Sequence, residues 1–482
     1  MITGYFRVRL ILPEEFGAMD ITNFASAGKS EMPDYSTKIS SKSINTFPYR
    51  KAYVFSDQLS LEGTMNIDSI FTVVKKSVKN VIGRERSGLG LAFSNLPWNL
   101  GAFWQVGGNY IVMNEGLFGS MKELAKSQEE FNSFVYMIEK DVELVLIGPG
   151  ANFFYFSGLG VESMERLTLL ILEQDRVTIF CPKLMEEQVR EESWVKNVVT
   201  YGDDENPYNK VSKLIKGNKK IQVEGTLPYF HLYRLEQEID DRFTFDDEIF
   251  SRIRIQKDIQ ELKAIGEAVK RSEDSLIASI SSISEGITEK AFSRILENEF
   301  FNHGLDGIAF PTIVSFGKNS AMPHHSPDST KLKKGDSIVI DYGGKYKGYS
   351  SDSTRTFFLG NPPEKMRKIF EITVSANVQT RDAVNDQTTY ADMDRIARSI
   401  ISDKGYGEFF IHRLGHGLGI MVHEEPYLIP QNTDPVIKNS VFTIEPGIYV
   451  ENLGGVRIED TNYFDGKKCI AFNTMKRDFE VL

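Results

Sequence analysis

Three short apolar runs in the second half of the chain are each broken by an acid where a strand interior should carry no charge. Asp341 sits in "SIVIDYGG", Glu445 in "VFTIEPG" and Glu459 in "GGVRIED". A fourth acid, Asp352, follows the glycine-rich turn "GGKYKGYSS". Burying a carboxylate in such surroundings is costly unless it is paired or bound to a cation. A single aspartate of this kind is ordinarily a strand-end or turn residue. Two on adjacent strands of a hairpin can converge on one point. In "VRIE", Arg457 and Glu459 alternate with Val456 and Ile458, so both polar side chains share one strand face. The chain must therefore fold so that several strands aim acids inward.

Inward acids with one imidazole nearby make an oxygen-rich site with a single nitrogen. Such hard ligands suit Mn²⁺, Co²⁺ or Fe²⁺ at least as well as Zn²⁺. Four carboxylates carry too much charge for one divalent ion, which points to two metals about 3.5–4 Å apart.

The imidazole must come from a chain with 7 histidines, three of them in "HRLGHGLGIMVHEEP". A helical zinc motif would place a glutamate between histidines four residues apart. "HRLGH" has none, and Gly415, Gly417 and Gly419 argue against a helix. An extended segment fits better and would point His412 and His416 to the same face. His423 lies beyond them. His231 and His303 read as surface or packing residues.

At 482 residues the chain should hold two or three domains. Its 41% hydrophobic and 26% charged residues are those of a soluble globular protein. A net charge of −11 excludes nucleic acid as the main partner. No basic tract suggests a membrane surface, and no stretch is long enough to span a bilayer. The start, "MITGYFRVRLILPEEFG", does not read as a signal peptide. Cys181 and Cys469 read as buried thiols, which fits a reducing cytoplasm.

Three parts follow. Residues 1–137 contain a polar loop, "STKISSKSINT", and turn-punctuated short strands in "LGLAFSNLPWNLGAFWQVGGNYIVMN". No catalytic constellation lies there. Residues 138–250 alternate buried strands ("VELVLIGPG", "RVTIFCP") with helical patterns such as "KLMEEQVREE", an α/β unit. "MERLTLLILEQD" could be a strand or a short helix. Residues 251–482 open on a long amphipathic helix with Ile259, Leu262, Ile265, Val269, Leu276 and Ile280 on one face. A second helix, "EKAFSRILENEFFNHG", stops at Gly304, and a third lies around "PPEKMRKIFEITVSANVQTRDAV". With the strand-like runs between and after them, this is an α+β domain.

Asp341, Asp352, His416 in "GHGLG", Glu445 in "EPG" and Glu459 in "VRIED" match, in order and context, the five metal ligands of the pita-bread metallopeptidases. Over residues 252–482 the chain resembles that superfamily, which includes methionine aminopeptidases, Xaa-Pro aminopeptidases and Xaa-Pro dipeptidases (prolidases). Residues 139–250, with "NFFYFSG", look like the creatinase-type N-terminal domain of its proline-directed members. The resemblance thus implies a pita-bread catalytic domain preceded by a creatinase-like α/β domain and an additional N-terminal segment. It implies that Asp352 and Glu459 bridge both metals, that Asp341 holds one, and that His416 and Glu445 hold the other.

It also implies that His412 and His423 line the substrate site and that Glu445 shuttles a proton. A further histidine of the family lies upstream of the first aspartate. His324 in "MPHHSP" has the matching offset, and the adjacent His325 competes for that role. Arg457 matches an arginine near the bridging glutamate; a plain salt bridge to a site acid is its other reading. The implied reaction is hydrolysis before proline in short peptides, by a dipeptidase or an aminopeptidase, commonly as a homodimer. Creatinase shares the fold but lacks the ligand set. The alternative is a catalytically silent pita-bread binding module, which usually loses ligands that are all present here.

Overall fold

The computed structural model describes the backbone of five early strands: β1 (Ile2–Leu10), β2 (Ala52–Leu61), β3 (Leu89–Phe93), β4 (Ala102–Val106) and β5 (Asn109–Met113). It further describes residues 144–482 apart from 164, 174–175, 216–220, 240–242 and 246–247. The early strands form an antiparallel sheet in the order β2-β1-β5-β4-β3. The short strands expected between residues 89 and 114 are thus present, whereas "STKISSKSINT" lies outside the described residues. The chain divides into two units, Met1–Ile249 and Phe250–Leu482.

The first unit's second sheet comprises β6 (Leu144–Ile147), β7 (Leu169–Glu173), β8 (Arg176–Pro182), β9 (Asn197–Tyr201), β10 (Ile221–Val223) and β11 (Phe243–Phe245). Its order is β11-β10-β6-β7-β8-β9. Helices α1 (Ala151–Ser157), α2 (Glu186–Glu192), α3 (Pro207–Leu214) and α4 (Tyr229–Glu238) connect these strands. "LLILE" resolves as strand β7, buried along its length and paired antiparallel on both sides. Periodicity could not separate strand from helix in so short an apolar run, and two hydrogen-bonded neighbours decide it. His231 is a packing residue: its ring lies 3.9 Å from that of Phe230, and Nδ1 is 2.9 Å from the Tyr208 hydroxyl. Cys181 is a buried free thiol, as is Cys469 in the second unit.

After α5 (Glu248–Ile255) come α6 (Ile259–Ile280) and α7 (Glu289–Asn302). Asp258 and Glu261 close a capping box at the start of α6, satisfying amides that the helix itself leaves free. Thr288 caps α7, where His303 ends the helix with Nδ1 2.9 Å from the Glu299 carbonyl. There follow β12 (Gly307–Ile308), β13 (Ile313–Phe316), β14 (Ser337–Tyr342), β15 (Gly344–Tyr346), β16 (Tyr349–Ser350) and β17 (Ser353–Phe358). β14 runs antiparallel between β13 and β17, placing Asp341 opposite Thr354. Leu276 of α6 with Phe292, Leu296 and Phe300 of α7 covers Ile338, Ile340 and Phe357 of this sheet in one fully packed core. Burying each such side chain contributes roughly 1.5–3 kcal/mol.

A second core forms beneath α8 (Glu364–Ala383) and α9 (Tyr390–Asp403). The sequence reading passes over α9, although Thr389 and Asp392 form a capping box and Tyr390, Met393, Ala397 and Ile401 keep helical spacing on its buried face. The remaining strands are β18 (Gly415–Gly417), β19 (Glu424–Leu428), β20 (Val441–Ile444), β21 (Gly447–Val450), β22 (Gly454–Arg457), β23 (Asp460–Phe464) and β24 (Cys469–Ala471). They form a sheet β19-β18-β20-β23-β24 and a hairpin β21-β22. Among the described residues no helix is long and apolar enough to cross a membrane.

The glycines around His416 have a steric reason. A Cβ on Gly415 would land on the Thr443 carbonyl oxygen, and one on Gly417 on that of Glu425. Only a bare backbone lets β18 pass between β19 and β20. Gly415→Ala should therefore cost roughly 1–3 kcal/mol through forced separation of the strands, read as a lower urea midpoint. An unchanged midpoint would show that the sheet can give way there.

Candidate metal centre

Each expected ligand stands at a strand end or a break in pairing. Asp341 is near the end of β14, and Asp352 lies between β16 and β17. Glu445 follows β20 directly, before Pro446. Glu459 interrupts the chain between β22 and β23, bridging to Thr354. His416 is the middle residue of β18, where the pairing with β19 slips between His416 and Gly417. Such a bulge re-aims a side chain that regular alternation would send elsewhere. The glycine-rich stretch is thus extended rather than helical.

These residues converge. Ligand atoms of Asp352, His416 and Glu459 all lie within 4.8 Å of one another. His416 Nε2 is 3.3 Å from Glu445 Oε1 and 3.6 Å from Asp352 Oδ2. Asp341 joins through Arg457, whose Nη2 donates to its Oδ2 at 2.7 Å. Arg457 and Glu459 meet at one hydroxyl. Arg457 Nε donates to Thr354 Oγ1 at 3.1 Å, and that hydroxyl donates to Glu459 Oε2 at 2.7 Å.

The electrostatics call for positive charge. Burial, then the neighbouring Glu459, Asp341 and Glu445, hold the Asp352 carboxyl well above its ordinary range. Burial and then Glu445 and Asp341 do the same to Glu459. Burial, opposed by Arg457, leaves Glu445 pushed up to about 8. His416 adds no charge, because burial and His423 bring it down to about 3. Its Nδ1 donates to the Gly417 carbonyl at 3.1 Å, so its Nε2 lone pair faces the carboxylates. A lone pair aimed at ionised carboxylates is repulsive unless a proton or a metal ion lies between them. Asp341 Oδ1, buried and without a hydrogen-bond partner, points to the same need. The donor set therefore fits divalent metal, with the backbone bond orienting the imidazole.

The other histidines divide. The His423 ring lies 4.2 Å from that of His416. His412 lies apart from the strand that carries His416. It sits in a bend outside the three-residue β18, so strand alternation does not govern it. Its Nδ1 lies 2.8 Å from the Arg413 carbonyl and its Nε2 3.0 Å from the Tyr449 hydroxyl. Arg457 Nη1 in turn donates to that hydroxyl at 2.9 Å. Burial and Arg457 bring His412 down to about 4. His324 is exposed, and its charge bears on both His412 and His423. His325 Nε2, by contrast, is held 2.7 Å from the buried Glu289.

Sequence reasoning missed Tyr449, Thr354 and a buried ion cluster just behind the site. Arg355 Nη2 donates to Asp460 Oδ1 at 2.9 Å and lies 3.6 Å from Glu273, while Arg477 donates to Asp460 Oδ2 at 2.6 Å. The only local signal was a second acid beside Glu459 and an arginine within a buried strand.

Metallopeptidase family M24 matches residues 263–464, and the Creatinase/Prolidase N-terminal domain matches residues 135–256. The chain is 36% identical over 328 residues to the Xaa-Pro dipeptidase of Pyrococcus furiosus, covering 68% of this chain and 92% of that protein. The crystal structure of recombinant prolidase from Thermococcus sibiricus has a TM-score of 0.70 at 36% identity, covering 73% of this chain and 97% of that one. An X-Pro aminopeptidase from Thermotoga maritima gives a TM-score of 0.65 at 29% identity, covering 71% and 98%. A catalytically silent module draws no support from these relatives. With acids that call for a cation and relatives matched nearly end to end, the chain belongs to metallopeptidase family M24: a pita-bread enzyme that works with divalent metal ions behind a creatinase/prolidase-type domain.

Proposed function

We propose that the chain hydrolyses the peptide bond before proline in short peptides, holding two divalent metal ions with Asp341, Asp352, His416, Glu445 and Glu459. The observation that carries this reading is the His416 lone pair facing Asp352 and Glu445. Mn²⁺ or Co²⁺ is the favoured pair of ions for these mainly carboxylate donors, with Fe²⁺ and Zn²⁺ as the alternatives. Bound metals supply Lewis acidity, acidifying water and polarising a carbonyl oxygen.

The side chains do the rest. Glu445 carries a proton from the attacking water to the leaving proline nitrogen. His423, whose pKa partial desolvation lowers from the ordinary value, offers an N–H to the developing oxyanion, and the exposed His324 joins it there. His412 holds the Tyr449 hydroxyl, and through it Arg457, against Asp341. The scissile nitrogen before proline has no hydrogen, and the ring fixes φ, so a pocket shaped for the ring can exclude ordinary peptides.

In this reading residues 251–482 carry the reaction, 138–250 form the creatinase-like domain and 1–137 are additional. The enzyme acts in the cytoplasm, where both buried cysteines stay reduced, and works as a homodimer, which a solution mass twice that of the chain would bear out. The direct test uses metal-stripped protein reloaded with Mn²⁺. Release of the N-terminal residue from Xaa-Pro, with Xaa-Ala cleaved at least about tenfold more slowly, is expected. Cleavage of Xaa-Pro-Xaa as well makes it an aminopeptidase; resistance of the tripeptide makes it a dipeptidase. No cleavage of any proline substrate sinks the reading.

A further inference from the structure

The segment carrying His324 is tied down on both flanks, and the tie on one flank leads to an acid outside the metal cluster. Glu289, the first residue of α7, is fully buried. A carboxylate that deep must be satisfied by donors. Glu289 Oε1 accepts from the Phe316 amide at 2.8 Å and from Asn319 Nδ2 at 3.0 Å. Its Oε2 accepts from His325 Nε2 at 2.7 Å and from the Asp328 amide at 3.0 Å. With four donors on two oxygens, and at a helix N-terminus where negative charge is favoured, this acid has no lone pair to offer a metal. Although His325 and Asp328 stand close to it, the group is an anchor and not a second metal centre.

What it anchors is the loop from Met322 to Thr330. The Glu289 amide donates to the Thr330 carbonyl and the Lys290 amide to that of Asp328, so the loop wraps the start of α7. On the other flank, the Pro323 carbonyl accepts from Arg457 Nη1 at 3.4 Å, the same arginine that pairs with Asp341. His324 therefore sits between a residue fixed to the metal-site arginine and a residue fixed to Glu289. Adjacent Cα atoms are about 3.8 Å apart, so clamping both neighbours leaves His324 little but its side-chain torsions.

We infer that Glu289 is a positioning residue for the reaction: through His325 it fixes the backbone that aims the exposed His324 at the substrate. This also gives the paired histidines of "MPHHSP" separate roles, His325 holding and His324 reaching. The inference rests on the proposed role of His324. In Glu289→Gln one side of the carboxylate becomes an amide NH₂ that meets two existing donors, so the clamp opens. His325→Leu removes the donor to Glu289 Oε2 and leaves the buried acid with its other three donors, and serves if the first variant does not fold.

Both variants should keep the metal content of the wild type and lower kcat on Xaa-Pro by roughly 10- to 100-fold, the scale of a misplaced group. KM should change little. In a His324→Ala background either change should lower kcat by less than about twofold, because the group being positioned is already gone. A merely structural role would lower activity equally in both backgrounds, and that result would overturn the inference. Hydrogen exchange of the amides of His324, His325, Ser326 and Asp328 is the readout independent of turnover, and it should speed up in both variants. Unchanged exchange with unchanged kcat also overturns the inference. A wild type without Xaa-Pro activity, or one in which His324→Ala is harmless, would sink the reading of the site, while faster exchange would still show the clamp.

Discussion

Asp352→Asn is expected to yield a folded protein whose kcat/KM on Xaa-Pro peptides is down by about 10³-fold or more. Asparagine has nearly the same shape, so packing should survive around a residue that is 5% exposed. What is lost is charge at the point where Glu459, Asp341 and Glu445 press hardest on one carboxyl. The metal-free protein should not suffer. Burial and like charges raise the folded pKa of Asp352 above its unfolded value, so its ionisation costs stability as pH rises from the ordinary aspartate range. Without metal, the variant should be at least as stable as wild type at neutral pH. Mn²⁺ should then raise the melting temperature of wild type and leave that of the variant nearly unmoved. Full activity in Asp352→Asn, stripped and reloaded, would remove this acid from the ligand set.

The second large effect separates two histidines four positions apart. His416→Ala should bind markedly less metal by elemental analysis and lose nearly all turnover, since the only nitrogen among the expected ligands is gone. His412→Ala should keep its metal and lose roughly 10²-fold in kcat, in the range of a general acid–base contribution. His412 makes its ring contacts with the Arg413 carbonyl and the Tyr449 hydroxyl, away from the carboxylates. Its removal frees Tyr449 and, behind it, Arg457. Equal metal loss in the two variants would overturn the division of labour.

Asp341, Glu445 and Glu459 were legible because each broke a local rule, a charge inside an apolar run, and such a breach shows without knowing what lies opposite. The helices α6, α7 and α8 were legible from spacing. α9 could have been read the same way from Thr389, Asp392 and its buried stripe. His412 was read from a strand that does not reach it. Strand alternation was extended over residues that turn out to form a bend, and β18 is only three residues long. Glu289 looked like an ordinary acid in a first helical turn. Its function depends on His325, Phe316 and Asn319, which no local pattern connects to it. Tyr449 was hidden in the same way, by partners at His412 in a bend and at Arg457 on another strand.

Glu459 and Asp460 are consecutive acids with opposite destinations. The first joins the candidate metal centre; the second is fully buried against Arg355 and Arg477. Arg355 Nη1 also donates to the Glu459 main-chain carbonyl at 2.7 Å, gripping the chain between the two side chains. A strand that slips by one residue exchanges its faces completely. Here the slip would set an aspartate, one methylene shorter, among the ligands, and force a glutamate into a socket sized for Asp460. Two neighbouring carboxylates with unequal reach and dedicated partners make the misthreaded sheet costly before any metal arrives.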